Sequence, residues 1–179
     1  MARVPLIDED DHPALSPLVA RIRGQRGGAL INVYRLLLNS PPLAETWFDH
    51  INAVRWKTTL SGRLRELVII RIGHLTGAAY ILRQHVPRLA LADGVSEADC
   101  AGLADWRAGD LFNASERAAL AYTDAMTRDI DVPDEVYDDL ARHFDDARRI
   151  VELTVLIASY NMHARVLQAL KVDLEPPQG

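Results

Sequence analysis

The stretch RELVIIRIGHLTGAAYILRQH, residues 65–85, constrains this chain more than any other. Its apolar residues recur at three and four positions instead of alternating by two, which predicts helix. From Leu64 to Leu75 they cover nearly every side, so that helix has to be surrounded by protein. Yet the same stretch carries Glu66, Arg71, His74 and His85, groups that burial penalises unless they are paired or used.

The helical period persists along the chain, and no segment reads as a strand. About eight helices are expected. Residues 28–38 form one, stopped by NSPP, and Pro41 and Pro42 open a second through about Lys57. Ser61 caps the third, which carries LRELVIIRIGHL and is weakened near its end by Gly73 and Gly77. A fourth runs from about Gly77 to Ala92 with Thr76 as its cap. Ser96, with Asp99 three residues on, opens a fifth through Trp106. NASERAALAYTDAMTRD places a cap at Ser115, VPDEVYDDLARHF opens on a proline, and a long apolar helix runs from Asp145 to about Lys171. The Asp- and Pro-rich residues 1–13 read as a loose arm and 174–179 as a frayed tail. No linker-like stretch divides the chain, so 1–179 reads as a single domain. ELVIIRIGH from Glu66 and ELTVLIASY from Glu152 echo one another, as two buried helices or as a helical-hairpin repeat.

Composition narrows the function. With 179 residues, 49% of them hydrophobic and 25% charged, the chain affords a sizeable core. The net charge of −5 is spread without a basic stripe, which argues against nucleic acid. No apolar run is long enough for a membrane helix and the start lacks a secretory pattern, so a cytoplasmic location is expected. The single cysteine, Cys100, allows no internal disulfide and no CxxC pair. It reads as a packing residue. Only Lys57 and Lys171 are lysines, which leaves a Schiff-base mechanism poorly supported, and no phosphate-loop, dinucleotide or serine-hydrolase string occurs.

Glu66 lies in the first turns of the third helix and His85 inside the fourth. A hairpin of these helices brings a carboxylate beside an imidazole, orienting the ring and raising its pKa so that it delivers a proton near neutral pH. A sealed structural pair at a helix crossing is the other reading. His74, His85 and Glu66 do not follow a standard metal-ligand spacing, so no metal is expected. His163, with Asn161 and Arg165, either faces solvent or lines the same cavity.

These residues resemble the carboxymuconolactone decarboxylase and alkylhydroperoxidase D superfamily. The match runs from Leu60 to Trp106 and persists weakly through VELTVLIASYNMHARVLQAL. Arg65 and Glu66, then His85, then ALADGVS from Ala90 to Ser96 fall in the family's order and spacing. The resemblance implies an all-α, alkylhydroperoxidase D-like helical bundle. In the peroxidase branch a CxxC pair precedes the histidine, and those positions are Ala78 and Ile81 here. The resemblance therefore points to the decarboxylase branch: a cofactor-independent carboxy-lyase, or related proton-transfer lyase, acting on a small carboxylated lactone or dienoic acid in aromatic-compound degradation. His85 would be the proton donor and Glu66 its orienting partner. Arg71 would hold a carboxylate or oxyanion, and His74 and Tyr80 would add hydrogen bonds, although each of these three also has a structural or interfacial reading. The alternative is a non-catalytic oligomeric or ligand-binding member of the fold. The family's habit of assembling as trimers or hexamers, together with third and last helices apolar on all sides, implies a homo-oligomer.

Overall fold

In the computed structural model, which describes residues 1–176 and only the backbone of Pro87, the described residues form nine α-helices and no strand. They are α1 (Ser16–Gly24), α2 (Asn32–Leu37), α3 (Pro41–Trp56), α4 (Gly62–Thr76), α5 (Ala79–Gln84), α6 (Glu97–Gly102), α7 (Ala114–Arg128), α8 (Asp134–His143) and α9 (Ala147–Leu170). The all-helical fold expected from the hydrophobic period is the fold observed. The chain divides into two compact units, residues 1–53 with 166–179, and residues 54–165.

In the first unit, Val19, Leu38 and Ala44 form a small core, with Ile7, Leu15 and Leu18 packed on it. The helix α1, absent from the sequence reading, buries Val19 and Ile22. The helix expected at 28–38 begins only at Asn32. Gly27 and Gly28 take left-handed backbone, φ 61° and 85°, and turn the chain ahead of it. The amino-terminal arm is tied down: the Arg3 amide donates to the Leu170 carbonyl and the Ile7 amide to that of Arg35. Near the other end, the Asn32 amide donates to Glu175 and its side chain to the Asp173 carbonyl. Of the tail expected to fray, residues 177–179 lie outside the described residues.

The second unit is built on α4. Every residue from Leu64 to Gly73 is buried, as the apolar period requires, and the surrounding elements are α5, α6, α7 and the turns between them. Leu67, Ile70, Val95, Leu103, Trp106, Phe112 and Leu120 make one continuous core cluster. The chain itself therefore covers α4. The expectation that a single chain would leave this helix's apolar sides exposed is corrected, whereas α9 keeps Val151, Val155 and Met162 exposed.

Caps follow the sequence at two places and depart from it at two. Ser61 Oγ accepts the Leu64 amide, and Ser96 forms a complete capping box with Asp99. At α7 the cap is Asn113, boxed with Glu116, and Ser115 lies inside the helix. Thr76 does not open α5, because its hydroxyl donates back to the Ile72 carbonyl. Gly77, at φ 63°, ends α4 in a left-handed turn. Close approach of α4 and α5 depends on Gly73, where an added Cβ would come 2.7 Å from Leu82 Cδ2.

The helix expected through residue 92 changes form partway. After α5 the backbone widens into a π-helical turn over His85–Ala90. Pro87, with no amide hydrogen, removes one rung of the α-ladder here, and such turns recur at functional positions.

A buried ion pair locks the far end of α4. Arg71 donates from Nε and Nη2 to the two oxygens of Asp124 on α7, at 2.6 and 2.9 Å, and from Nη1 to the Leu103 and Ala104 carbonyls. Removing one partner of such a pair typically costs about 3–5 kcal/mol. Asp124→Asn should therefore lower the melting temperature by roughly 6–20 °C at about 2–4 °C per kcal/mol. A shift of a degree or two in a thermal melt would show that the pair does not hold the fold.

Candidate active site

Glu66 and His85 meet. Early in α4, Glu66 has no exposed surface, and its Oε2 lies 2.6 Å from His85 Nδ1. The ring of His85, on the first residue of the π-turn, is 5% exposed. Two arginines complete the first layer around the carboxylate. Arg55, near the end of α3, donates from Nη2 to Glu66 Oε1 at 3.1 Å. Arg65 Nε stands 3.7 Å from the same oxygen, while its Nη atoms donate to the Arg55 carbonyl and to Asp93. Both guanidiniums also lie over the half-exposed ring of Trp56, 4.7 and 4.8 Å from its centroid.

The protonation state follows from burial and these charges. Desolvation works against the Glu66 anion, but the hydrogen bond from His85 and the charges of Arg55 and Arg65 outweigh it and hold the carboxyl below its ordinary value. For His85 the balance runs the other way. Burial is the largest effect and lowers its pKa, Glu66 opposes it, and the two arginines add to the lowering. The expectation that the carboxylate alone would raise the histidine is thus corrected, because complete desolvation wins over one partner. The resting pair is a charged Glu66 accepting from the Nδ1–H of a neutral imidazole. Nε2 then carries the lone pair.

Tyr160, on α9, meets His85 edge to face with centroids 5.6 Å apart, and His163 stacks on Tyr160 at 5.7 Å. Burial is the main effect that lowers the pKa of His163, and the Arg55 charge adds to it. The two family thiol positions, Ala78 and Ile81, are both buried just ahead of His85.

The remaining sequence candidates lie elsewhere. Arg71 is committed to Asp124, so its acidic partner belongs to the same chain. His74 Nε2 approaches the Cys100 carbonyl at 3.3 Å, and Tyr80 is buried near the start of α5. Asn161 donates to Thr127 and to the Ile157 carbonyl, and Arg165 donates to Asn161. Burial also raises the Cys100 thiol pKa, as suits a packing residue. Among the described residues no three His, Cys, Asp or Glu side chains converge as metal ligands, and no helix is long and apolar enough to cross a membrane. Sequence reasoning missed Arg55, Asp93 and Tyr160. The first two had no local signal, whereas Tyr160 closes the segment that echoes the Glu66 helix.

A neutral buried histidine gives stability a defined pH dependence. Below about pH 6.5 the unfolded chain takes up protons that the folded chain refuses at His85 and His163, so stability falls as pH drops from there. The melting temperature should decline between pH 7 and pH 5, and His163→Gln should flatten the decline. An equal slope in wild type and variant would contradict a neutral folded-state ring.

The sequence profile of the Carboxymuconolactone decarboxylase family matches residues 41–125. An uncharacterized Escherichia coli K12 protein, YnjA, is 34% identical over 126 residues, which are 70% of this chain and 66% of that protein. The match thus spans just under two thirds of that relative's length. Among solved structures, an Agrobacterium tumefaciens protein of unknown function, described as an antioxidant defence protein AhpD, superposes with TM-score 0.74 at 26% identity, covering 79% of this chain and 97% of that one. The debrominase Bmp8, in complex with 2,3,4-tribromopyrrole, superposes with TM-score 0.80 at 23% identity, covering 98% and 94%. The helical architecture, the Glu66–His85 spacing and these likenesses agree: residues 41–125 match the carboxymuconolactone decarboxylase family, and the chain has the alkylhydroperoxidase D-like fold of that superfamily.

Proposed function

We propose that the chain is a cofactor-independent carboxy-lyase, or a related proton-transfer lyase, for a small carboxylated lactone or dienoic acid. The observation that carries this reading is the buried 2.6 Å contact of His85 with Glu66, on a site whose two thiol positions hold Ala78 and Ile81. Without thiols the pair has protons to move, not electrons. That the same fold in Bmp8 holds a small ring compound is consistent with a small cyclic substrate.

The chemistry divides into two steps. The bond from the ring carbon to the carboxylate breaks, carbon dioxide leaves, and the electron pair flows into the conjugated carbonyl to give a dienolate. Carbon is then protonated. A neutral His85 cannot supply that proton, so substrate has to change its state. A bound carboxylate adds negative charge near the ring in a low-dielectric site, which favours imidazolium at Nε2. Glu66 holds Nδ1–H and stabilises the cation as it forms. The proton is taken up with the substrate, delivered to carbon, and replaced in the next cycle.

The test is carbon dioxide release from a panel of carboxylated lactones. His85→Ala should lose at least about a hundredfold in turnover, the usual scale for a general acid, and Glu66→Gln should fall as well by misorienting the ring, with both proteins folded. A folded His85→Ala protein that retained full turnover would end this reading.

The near-complete burial of the His85 ring favours a second reading, a non-catalytic oligomeric or ligand-binding member of the fold. On that reading both variants lose stability, and the panel yields no carbon dioxide even with wild type.

Assembly as a homo-oligomer, such as a trimer or hexamer, is also part of the proposal. On α9, Leu153, Leu156, Ile157 and Tyr160 are buried, while Val151, Val155 and Met162 are 60, 40 and 38% exposed along the opposite face. Their spacing is that of a helix–helix seam. Sedimentation should give a multimer that Val155→Glu with Met162→Glu dissociates. A 19.9 kDa species at micromolar concentration in wild type would refute it.

A further inference from the structure

We propose that the hollow formed by the last turns of α4 and α7 with the 3₁₀ turn Leu103–Asp105 is a binding site for a small, doubly charged oxyanion, separate from the Glu66–His85 pair. The hollow is about 290 Å³ and is lined by Arg71, His74, Leu75, Ala104 and Arg128. No carboxylate side chain lines it.

Its charge is unbalanced. Three guanidiniums share one buried carboxylate: Arg71 at 2.6 Å, Arg107 at 2.6 Å and Arg128 at 3.8 Å from Asp124. Among the described residues no other carboxylate pairs with any of the three. Desolvation disfavours the Asp124 anion, but the hydrogen bonds of Arg71 and Arg107 hold its pKa low, so it stays charged and neutralises one cation. Two positive charges remain. The last turns of α4 and α7 contribute only partial negative charge, and the carbonyls of Gly73 and His74 already accept the amides of Ala78 and Gly77.

The arginines differ in what they can still offer. Arg71 is spent on Asp124 and two carbonyls, so it supplies charge and a rigid wall. Arg107 is anchored by its short bond to Asp124 and lies 4.1 Å from the Trp106 ring centroid. Among the described residues the Arg128 side chain makes only the long ion pair, and it is 56% exposed. Its donors remain available to a ligand on the open side. A guanidinium fork matches the paired oxygens of phosphate or carboxylate, and the lining has too little apolar surface to hold a neutral ring. The chemistry shared by inorganic phosphate and a short dicarboxylate, two negative charges on oxygens a few ångströms apart, fits both volume and charge.

The experiment is calorimetric titration of the full chain at constant ionic strength with inorganic phosphate and, separately, with succinate, using acetate as a monoanionic control. Saturable one-to-one binding of at least one dianion, tighter than acetate, is expected, and the tighter of the two identifies a phosphate-type or dicarboxylate-type ligand. Arg128→Ala should weaken it at least about tenfold, a loss of about 1.4 kcal/mol, and Arg128→Lys should recover part of it. His85→Ala should bind as wild type does, which separates this site from the lyase reading. Among the described residues the Arg128 side chain makes no hydrogen bond, so its variants should keep the wild-type melting profile without ligand. Absence of saturation by either dianion below about 10 mM, or equal affinity in Arg128→Ala, would overturn the proposal.

Discussion

A carboxylate with no exposed surface is the constraint on which the second unit depends. Glu66 sits among apolar residues of α4 that have no other place to go, and an isolated anion there would be untenable. The surroundings are accordingly built from cations and donors. Arg55 reaches it from α3, Arg65 from its own helix, and His85 from the turn after α5. Arg65 is itself fixed, since it donates to the Arg55 carbonyl and to Asp93. The interaction that makes burial of Glu66 tolerable therefore also selects the tautomer of His85. The pairing of Glu66 and the candidate chemistry share one pair of atoms 2.6 Å apart.

The same helix pairs its charges three times. Arg63, at its start, donates to Glu116 and Asp99, the acidic members of the capping boxes of α7 and α6, and those hydrogen bonds help hold Asp99 down to about 2. Glu66 comes next, and Arg71 pairs with Asp124 beyond it. Three ionic contacts along one buried helix fix its register against the neighbouring elements more narrowly than apolar packing alone, which tolerates substitution of similar volume. The charge logic differs at each. The first joins helix starts, the second is enclosed, and the third leaves positive charge at a hollow open to solvent.

Much of this was legible from residue order, because helical period, burial of α4 and caps such as Ser61 and Ser96 are local properties. The pairing of Glu66 with His85 came from spacing that matches a family, and the structure brings the two together. What escaped was set by distance in the chain or by competition between local options. Asp124 lies 53 residues from Arg71 and looks like any acid on an amphipathic helix. Arg55 reads as a solvated helix end. Thr76 looked like a cap, but a threonine hydroxyl can instead bond back along its own helix, and Gly77 already supplied the break. Asn113 took the cap from Ser115 because its partner Glu116 falls three residues on, where the box requires it. The widened turn at His85 was hidden because a proline in a helical pattern signals disruption without saying which form the disruption takes.

The neutral state of His85 bears on what kind of substrate the site can serve. An uncharged ligand would leave the imidazole without a proton to give, since burial and two arginines both disfavour the cation. An anionic ligand changes that balance through its own charge, and the effect is largest where water is excluded. The features that make the pair look sealed at rest would then also make it discriminating. A carboxylate entering the site would create the acid that its own decarboxylation needs, and a neutral analogue of the same shape would not. On the proposed reading, specificity for anions is a consequence of burial, and the apolar character of the segment around Glu66 and His85 is part of the chemistry.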